Sequence, residues 1–263
     1  MKVGYVTHYD ARDIKPWSGT GYYISECLKL QGVDVFHVGS LQQNGEWLQR
    51  LKHRFYPVLA GRNYLAQVEP TMLKGFARQT EAKLREANVD LIVTPHPYLV
   101  GYLRTEKPIV IWADCTFQGM VDFYPYYFNL CKETIRNGNR VEQAAFDRCQ
   151  RAVFASDWAL ESARRHYGLA ADKGAVVPYG ANIVCNRKPA DIDEFVAMRG
   201  QSPCKLLFLG KIWERKGGKI AVQVAERLNA AGLETELLLV GCQPPPEPAL
   251  PPCAKVLGFI DKS

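Results

Sequence analysis

The stretch LLFLGKIWERKGGKIAVQVAERL, residues 206–228, decides how the chain is read. An apolar run closes on Gly210. Lys211, Glu214, Arg215 and Lys216 crowd in front of Gly217 and Gly218, and a helical pattern follows. A loop at the carboxyl end of a buried parallel strand stands where doubly wound sheets take their ligands. The N-terminus of the next helix offers unpaired N–H groups and positive dipole potential. Lys211 and Lys216 add full charges. The loop is therefore either a seat for a diphosphate or a solvated turn whose glycines supply backbone freedom. It is not a Walker A loop, because no Gly-Lys-Ser/Thr follows at the required spacing.

Working outward, short apolar runs alternate with helical patterns. Residues 3–7, 33–38, 91–94, 109–113, 152–155 and 175–178 read as buried strands. Residues 21–31, 71–87 and 156–167 read as helices, the last opened by Ser156, whose hydroxyl can accept an orphan backbone N–H. This alternation predicts an α/β fold with a parallel sheet and helices on both faces. The segment 183–204 is polar and proline-containing and reads as a linker. A second unit follows over 205–263, with strands at 205–209, 236–240 and 254–260, a helix at 217–231, and the proline-rich loop QPPPEPALPP. The expectation is a complete first domain over 1–182 and only the first part of a second Rossmann-like domain. Three strands and one helix bury little on one face. The second unit thus reads as a fragment, or as one whose bare face a partner covers.

Composition sets the class. Of 263 residues, 47% are hydrophobic and 23% charged, which fits a globular chain rather than a disordered one. No run approaches the ~18–20 apolar residues that span a bilayer. Met1-Lys2 runs straight into the first strand, with no leader pattern, so a cytoplasmic protein is expected. The eight cysteines form no Cys-x-x-Cys pair and read as reduced thiols without a zinc site. The net charge of +6 is mild. It suits an anionic small molecule or contact with an anionic membrane face, and no basic block points to nucleic acid.

A second glycine loop, YDARDIKPWSGTGYYI, spans residues 9–24. Gly19 and Gly21 permit close backbone approach ahead of a helix; the plain alternative is a flexible turn into that helix. The third glycine of the dinucleotide fingerprint is absent, the connection is long, and the second strand closes as FHVGS with no acid. All three points count against NAD or FAD.

These segments together resemble the retaining glycosyltransferases of family 4, which have the GT-B fold of two Rossmann-like domains. The second domain of that family opens with a strand, Gly-Arg/Lys, several residues, then Lys-Gly and a helix. The match here is Gly210-Lys211 and Lys216-Gly217. The glycine loop after the first strand matches Ser18-Gly19-Thr20-Gly21. The Val-Pro-x-Gly segment matches VVPYGAN, residues 176–182, and the helix start after a strand fits SDWA, residues 156–159. The resemblance covers essentially the whole chain. It implies transfer of a sugar, of hexose type, from a nucleotide-diphosphate sugar to an acceptor hydroxyl on a sugar or glycoconjugate. Lys211, Lys216 and Gly217 would bind the donor diphosphate and stabilise the leaving nucleotide without a metal or cofactor. Gly19 and Gly21 would approach the donor phosphate. The family's Glu-x7-Glu motif, which holds sugar and ribose, is not reached by residue 263. An incomplete donor pocket is therefore expected, which leaves the chain either an active transferase or an inactive one.

Single residues add to this. Asp114 ends the apolar run IVIWA and either faces the sugar or caps its loop. His96, between two prolines in TPHPY, either contacts the sugar or sits in a surface loop, and His8 ends the first strand in a similar position. The aromatic segment 117–130 either lines an acceptor site or packs a lid onto the core. Asn139 and Glu142 fall on the next helix, where Glu142 is either a sugar contact or a solvated side chain. Two other classes stay open. One is an epimerase or phosphorylase on the same fold, and the other is a non-catalytic binding protein.

Overall fold

The computed structural model describes residues 1–43, 46–200 and 202–260. The chain divides into two compact units, the first Met1–Ile183 and the second from Val184 onward. Among the described residues no helix is long and apolar enough to cross a membrane.

The first unit is built on six parallel strands: β1 (Lys2–Val6), β2 (Asp34–Val38), β3 (Leu91–Thr94), β4 (Ile109–Ala113), β5 (Arg151–Phe154) and β6 (Gly174–Val176). Their order is β2-β1-β3-β4-β5-β6. Runs such as VGYV and IVIWA are apolar at successive positions because helices cover both faces of the sheet. On one face, Val3, Tyr5 and Val93 pack with Ile24 of α1 (Thr20–Leu30). On the other, Ile92, Ile111 and Phe154 meet Leu73 and Phe76 of α3 (Pro70–Ala87), Phe146 of α5 (Lys132–Arg148) and Leu160 of α6 (Asp157–Tyr167). Each such side chain contributes about 1.5–3 kcal/mol by burial. Ser156 caps α6 as expected, accepting from the Ala159 N–H at 3.3 Å, and Gly168 ends it in the left-handed region. The chain leaves β1 for β2 and then crosses to β3 on the other side. The order reverses there, so the carboxyl ends of β1 and β3 flank a topological switch point.

Two further helices complete the unit, α2 (Glu46–Ala60) and the short α4 (Phe117–Met120). The sequence reading assigned nothing to 46–60. Pro57 lies within it, and its apolar residues Trp47, Leu51, Phe55, Val58 and Leu59 are exposed.

The second unit holds three parallel strands in the order β7 (Cys204–Leu209), β8 (Thr235–Val240) and β9 (Ala254–Gly258). One point corrects the sequence reading. The segment 183–204 is not wholly linker, because it contains α7 (Pro189–Ala197). Pro189 stands in its first turn, and Asp191 accepts from the Lys188 N–H at 2.8 Å. The helix expected at 217–231 is α9 (Gly218–Ala230). A single turn that the sequence reading did not assign, α8 (Trp213–Lys216), precedes it, and Gly217 separates the two at φ +75°. One side of the sheet packs Phe208, Leu237 and Leu239 against Ala225 of α9 and Trp213. On the other side of β7, Leu207 and Leu209 are exposed.

Candidate functional site

In the first unit, the loops after β1 and β3 bring histidines and aromatic rings to the switch point. The His96 ring lies 5.2 Å from His8, 5.8 Å from Tyr9, 5.4 Å from Trp17 and 5.4 Å from Tyr98. His8 Nδ1 and the Tyr98 hydroxyl are 3.0 Å apart. Thr94 fixes the turn beneath: its hydroxyl donates to Val6 O at 2.9 Å and accepts from the His96 N–H at 3.1 Å. Burial pushes the His96 imidazole down to about 3, with the neighbouring His8 adding to the effect. His96 is therefore neutral at physiological pH. Its Nε2 is buried with no hydrogen-bond partner in the protein, as are the hydroxyls of Tyr5 and Tyr9. Buried polar atoms normally find partners. His96 Nε2 is thus a buried polar atom at the switch point that the protein leaves unpaired.

Gly19 and Gly21 sit beside this cluster, and both are buried. Trp17, Ser18 and Gly19 form a run at positive φ, 49°, 56° and 87°, which turns the chain into α1. For the two non-glycine residues this costs ~1–2 kcal/mol each, a strain of the kind that clusters at ligand sites. Gly21 has a packing reason: a Cβ there would fall 2.2 Å from the Tyr9 hydroxyl oxygen. The bare face of Gly21 therefore receives Tyr9, not open space. Segment 176–182 closes the site. The Tyr179 hydroxyl donates to Trp112 O at 3.0 Å, and the Asn182 amide donates to Thr20 Oγ1 at 3.0 Å and to Ser18 O at 3.2 Å.

Asp114 is exposed at the carboxyl end of β4. Its carboxylate accepts from the Cys115 thiol at 3.3 Å. Burial raises the Tyr179 hydroxyl, and the Asp114 charge raises it further. Glu142 does not join this group, which corrects its reading as a sugar contact or solvated side chain. It is 5% exposed, and its carboxylate accepts the Phe117 N–H at 2.5 Å. It braces the start of α4, three residues beyond Asp114. Burial pushes it up to about 7, against the pull of Tyr167 and the Phe117 N–H. Asn139 serves the same brace, accepting from the Tyr167 hydroxyl at 2.8 Å and donating to Gln118 Oε1 at 2.7 Å. Sequence reasoning missed the aromatic wall of Tyr9, Trp17, Tyr98 and Tyr179. All four flank residues it had named, and that proximity was the available signal.

In the second unit the loop from β7 to α9 carries the expected cations. Lys211 and Lys216 are both exposed, and Lys211 Nζ stands 5.1 Å from the Phe259 ring centroid. Three glycines shape the loop by close approach. A Cβ on Gly210 would lie 2.7 Å from Lys216 Cγ, so the lysine stem lies against bare backbone. One on Gly218 would strike the buried Trp213 ring at 2.3 Å, and one on Gly241 would come within 3.0 Å of Gly210 O. The N-terminus of α9 has no side-chain cap, which leaves orphan N–H groups beside the two lysines. A pocket of about 430 Å³ adjoins it, lined by Trp213, Gly217, Ile220, Pro245, Pro248 and Leu250.

Two parallel-sheet units, the first wound with helices on both faces and the second with a lysine-bearing glycine loop, define the GT-B class of glycosyltransferases. Solved structures share that architecture. WaaG, a glycosyltransferase involved in lipopolysaccharide biosynthesis, matches 99% of this chain and 70% of its own, at 13% identity and a TM-score of 0.60. A glycosyltransferase from Rickettsia africae ESF-5 matches 99% and 69%, at 15% identity and TM-score 0.54. Anabaena HepE, solved in complex with UDP, matches 100% and 70%, at 14% identity and TM-score 0.53. Comparison with curated protein sequences found no match. The family model of Glycosyltransferase Family 4 matches residues 20–184, more than half of the chain. The chain belongs to Glycosyltransferase Family 4.

Proposed function

We propose that this glycosyltransferase moves a hexosyl group from a nucleoside-diphosphate sugar to an acceptor hydroxyl with retention of anomeric configuration. The observation that carries the reading is the loop of the second unit, where exposed Lys211 and Lys216 precede the uncapped N-terminus of α9 in the chain. Fixed cations and free N–H groups suit a diphosphate. A nucleotide donor accords with the UDP held by Anabaena HepE. In the reaction, the bond from the anomeric carbon to the diphosphate oxygen breaks. A bond to the acceptor oxygen forms on the same face of the sugar, and a diphosphate oxygen takes the acceptor proton. Lys211 and Lys216 offset the charge on the leaving nucleoside diphosphate, with no metal or cofactor required. His96 and Asp114 orient hydroxyls in the first unit, with Gly19 and Gly21 shaping the loop beside them.

Release of nucleoside diphosphate from UDP-, GDP- and ADP-sugars, with simple glycoside acceptors, tests the proposal. Lys216→Ala should lower turnover by about 10²–10³-fold while the unfolding midpoint stays unchanged. Unaltered turnover in a folded variant would reject the role given to Lys216.

A further inference from the structure

Helix α2 is built inside out. Its inward side is polar: Lys52 Nζ bridges Glu133 at 2.7 Å and Glu69 at 3.1 Å, and the Tyr56 hydroxyl donates to Glu133 at 2.6 Å. The Tyr56 ring stacks on Tyr64, and Gln49 is buried. Its outward side is apolar. At 100° per residue, Trp47, Val58, Leu51, Phe55 and Leu59 fall within one ~120° arc. They are exposed by 72%, 78%, 42%, 47% and 76%. A helix that served only the core would show the reverse arrangement.

Charge flanks the arc. Arg50, His53 and Arg54 lie beyond its Trp47 side and are exposed. Helix α2 carries Arg50, Lys52 and Arg54 against one acid, Glu46, with Lys52 turned inward to Glu69 and Glu133. A second, separate segment follows nearby. The chain after α2 is tied to residues 128–130: Arg62 Nη1 donates to Asn129 Oδ1 at 2.8 Å, the Asn63 amide donates to Phe128 O at 2.9 Å, and Asn63 bridges Leu130. That loop exposes Phe123, Tyr126 and Phe128.

We infer that α2 docks this chain on an anionic lipid surface. An outward apolar face with exposed Trp and Phe, edged by arginines, is the pattern of a helix lying in the plane of a bilayer interface. The occupant is the bilayer rather than a protein groove, because the cations at the edge complement anionic headgroups while the arc enters the acyl boundary. The inference is independent of the sugar-transfer chemistry, since its readout needs no donor.

The test is sedimentation of the 263-residue chain with vesicles of phosphatidylglycerol and phosphatidylethanolamine, beside pure phosphatidylcholine. The protein should pellet with the anionic vesicles and stay in solution with phosphatidylcholine. Arg50→Gln and Arg54→Gln should each weaken partitioning roughly fivefold. The double variant Trp47→Ser, Phe55→Ser should abolish it, with an unchanged thermal midpoint because both side chains are exposed. No binding to anionic vesicles would overturn the inference. So would loss of the arc without effect on binding. A concentration-dependent dimer that these same substitutions dissolve, with no vesicle binding, would assign the face to a second copy instead.

Discussion

Replacing Glu142 by Gln should make the protein more stable at alkaline pH and remove one component of its pH dependence. In the unfolded chain this carboxyl titrates near its ordinary value of 4.5; in the folded protein burial holds the proton up to about 7. Between those values the folded state binds more protons than the unfolded one, so stability falls as pH rises. The favourable contribution is full below 4.5 and lost as the pH rises through 7. At ~1.4 kcal/mol per pH unit the interval amounts to about 3 kcal/mol. Glutamine keeps an oxygen for the Phe117 N–H but carries no charge to desolvate. The assay is urea unfolding of both proteins at pH 5 and pH 8.5. His96 pulls the other way over part of this range, so the informative quantity is the difference between the two proteins. That difference should favour the Gln variant more strongly at pH 8.5, by about 2–3 kcal/mol. Parallel pH profiles would show that the Glu142 carboxylate is not desolvated, and the brace argument would fail with it.

Two further outcomes are expected. Gly217→Ala places a side chain at φ +75°, with only Ile220 nearby at 3.6 Å, so its cost is backbone strain of ~1–2 kcal/mol. Unfolding of the second unit by urea should show that loss, and an alanine variant as stable as the parent would remove the left-handed turn. His96, held down to about 3 by burial, should keep unchanged ring resonances by NMR from pH 8 to pH 5. Its contribution to stability is present above the ordinary value of 6.5 and is lost as the pH falls below it. A titration midpoint near 6.5 would mean the ring is solvated.

The strands of the first unit were legible because a parallel sheet covered on both faces leaves its mark as unbroken apolar runs, and VGYV, LIVT and IVIWA are such runs. The cations and glycines around 210–218 were legible for a similar reason: few loops need three bare backbones so close to two lysines. Glu142 was misread because spacing shows a helix but not which side faces in. The signal existed: Gly138, Val141, Ala145 and Phe146 mark the buried stripe, and Glu142 lies within it. Gly138 even has its cause in the structure, since a Cβ there would lie 2.4 Å from the Phe117 ring. Helix α2 carried a helical pattern, with Trp47, Leu51, Phe55, Val58 and Leu59 on one arc, and was passed over; what periodicity does not report is that this arc faces away from the core. Tyr9, Trp17, Tyr98 and Tyr179 each stood near a residue already singled out, but their meeting around His96 depends on loops far apart in the chain.

The strand order carries a kinetic consequence. β1 lies between β2 and β3, and Val3 pairs with Leu91, 88 residues later. At a synthesis rate of ~5–20 residues per second, one edge of β1 waits roughly 4–18 s for its partner. From the completion of β2 at Val38 onward, a nascent chain presents the unpaired groups of VGYV on that side of β1. Such an edge is an open template for another chain. Yield during synthesis should therefore respond to temperature and chaperone supply more steeply than the stability of the finished protein would imply.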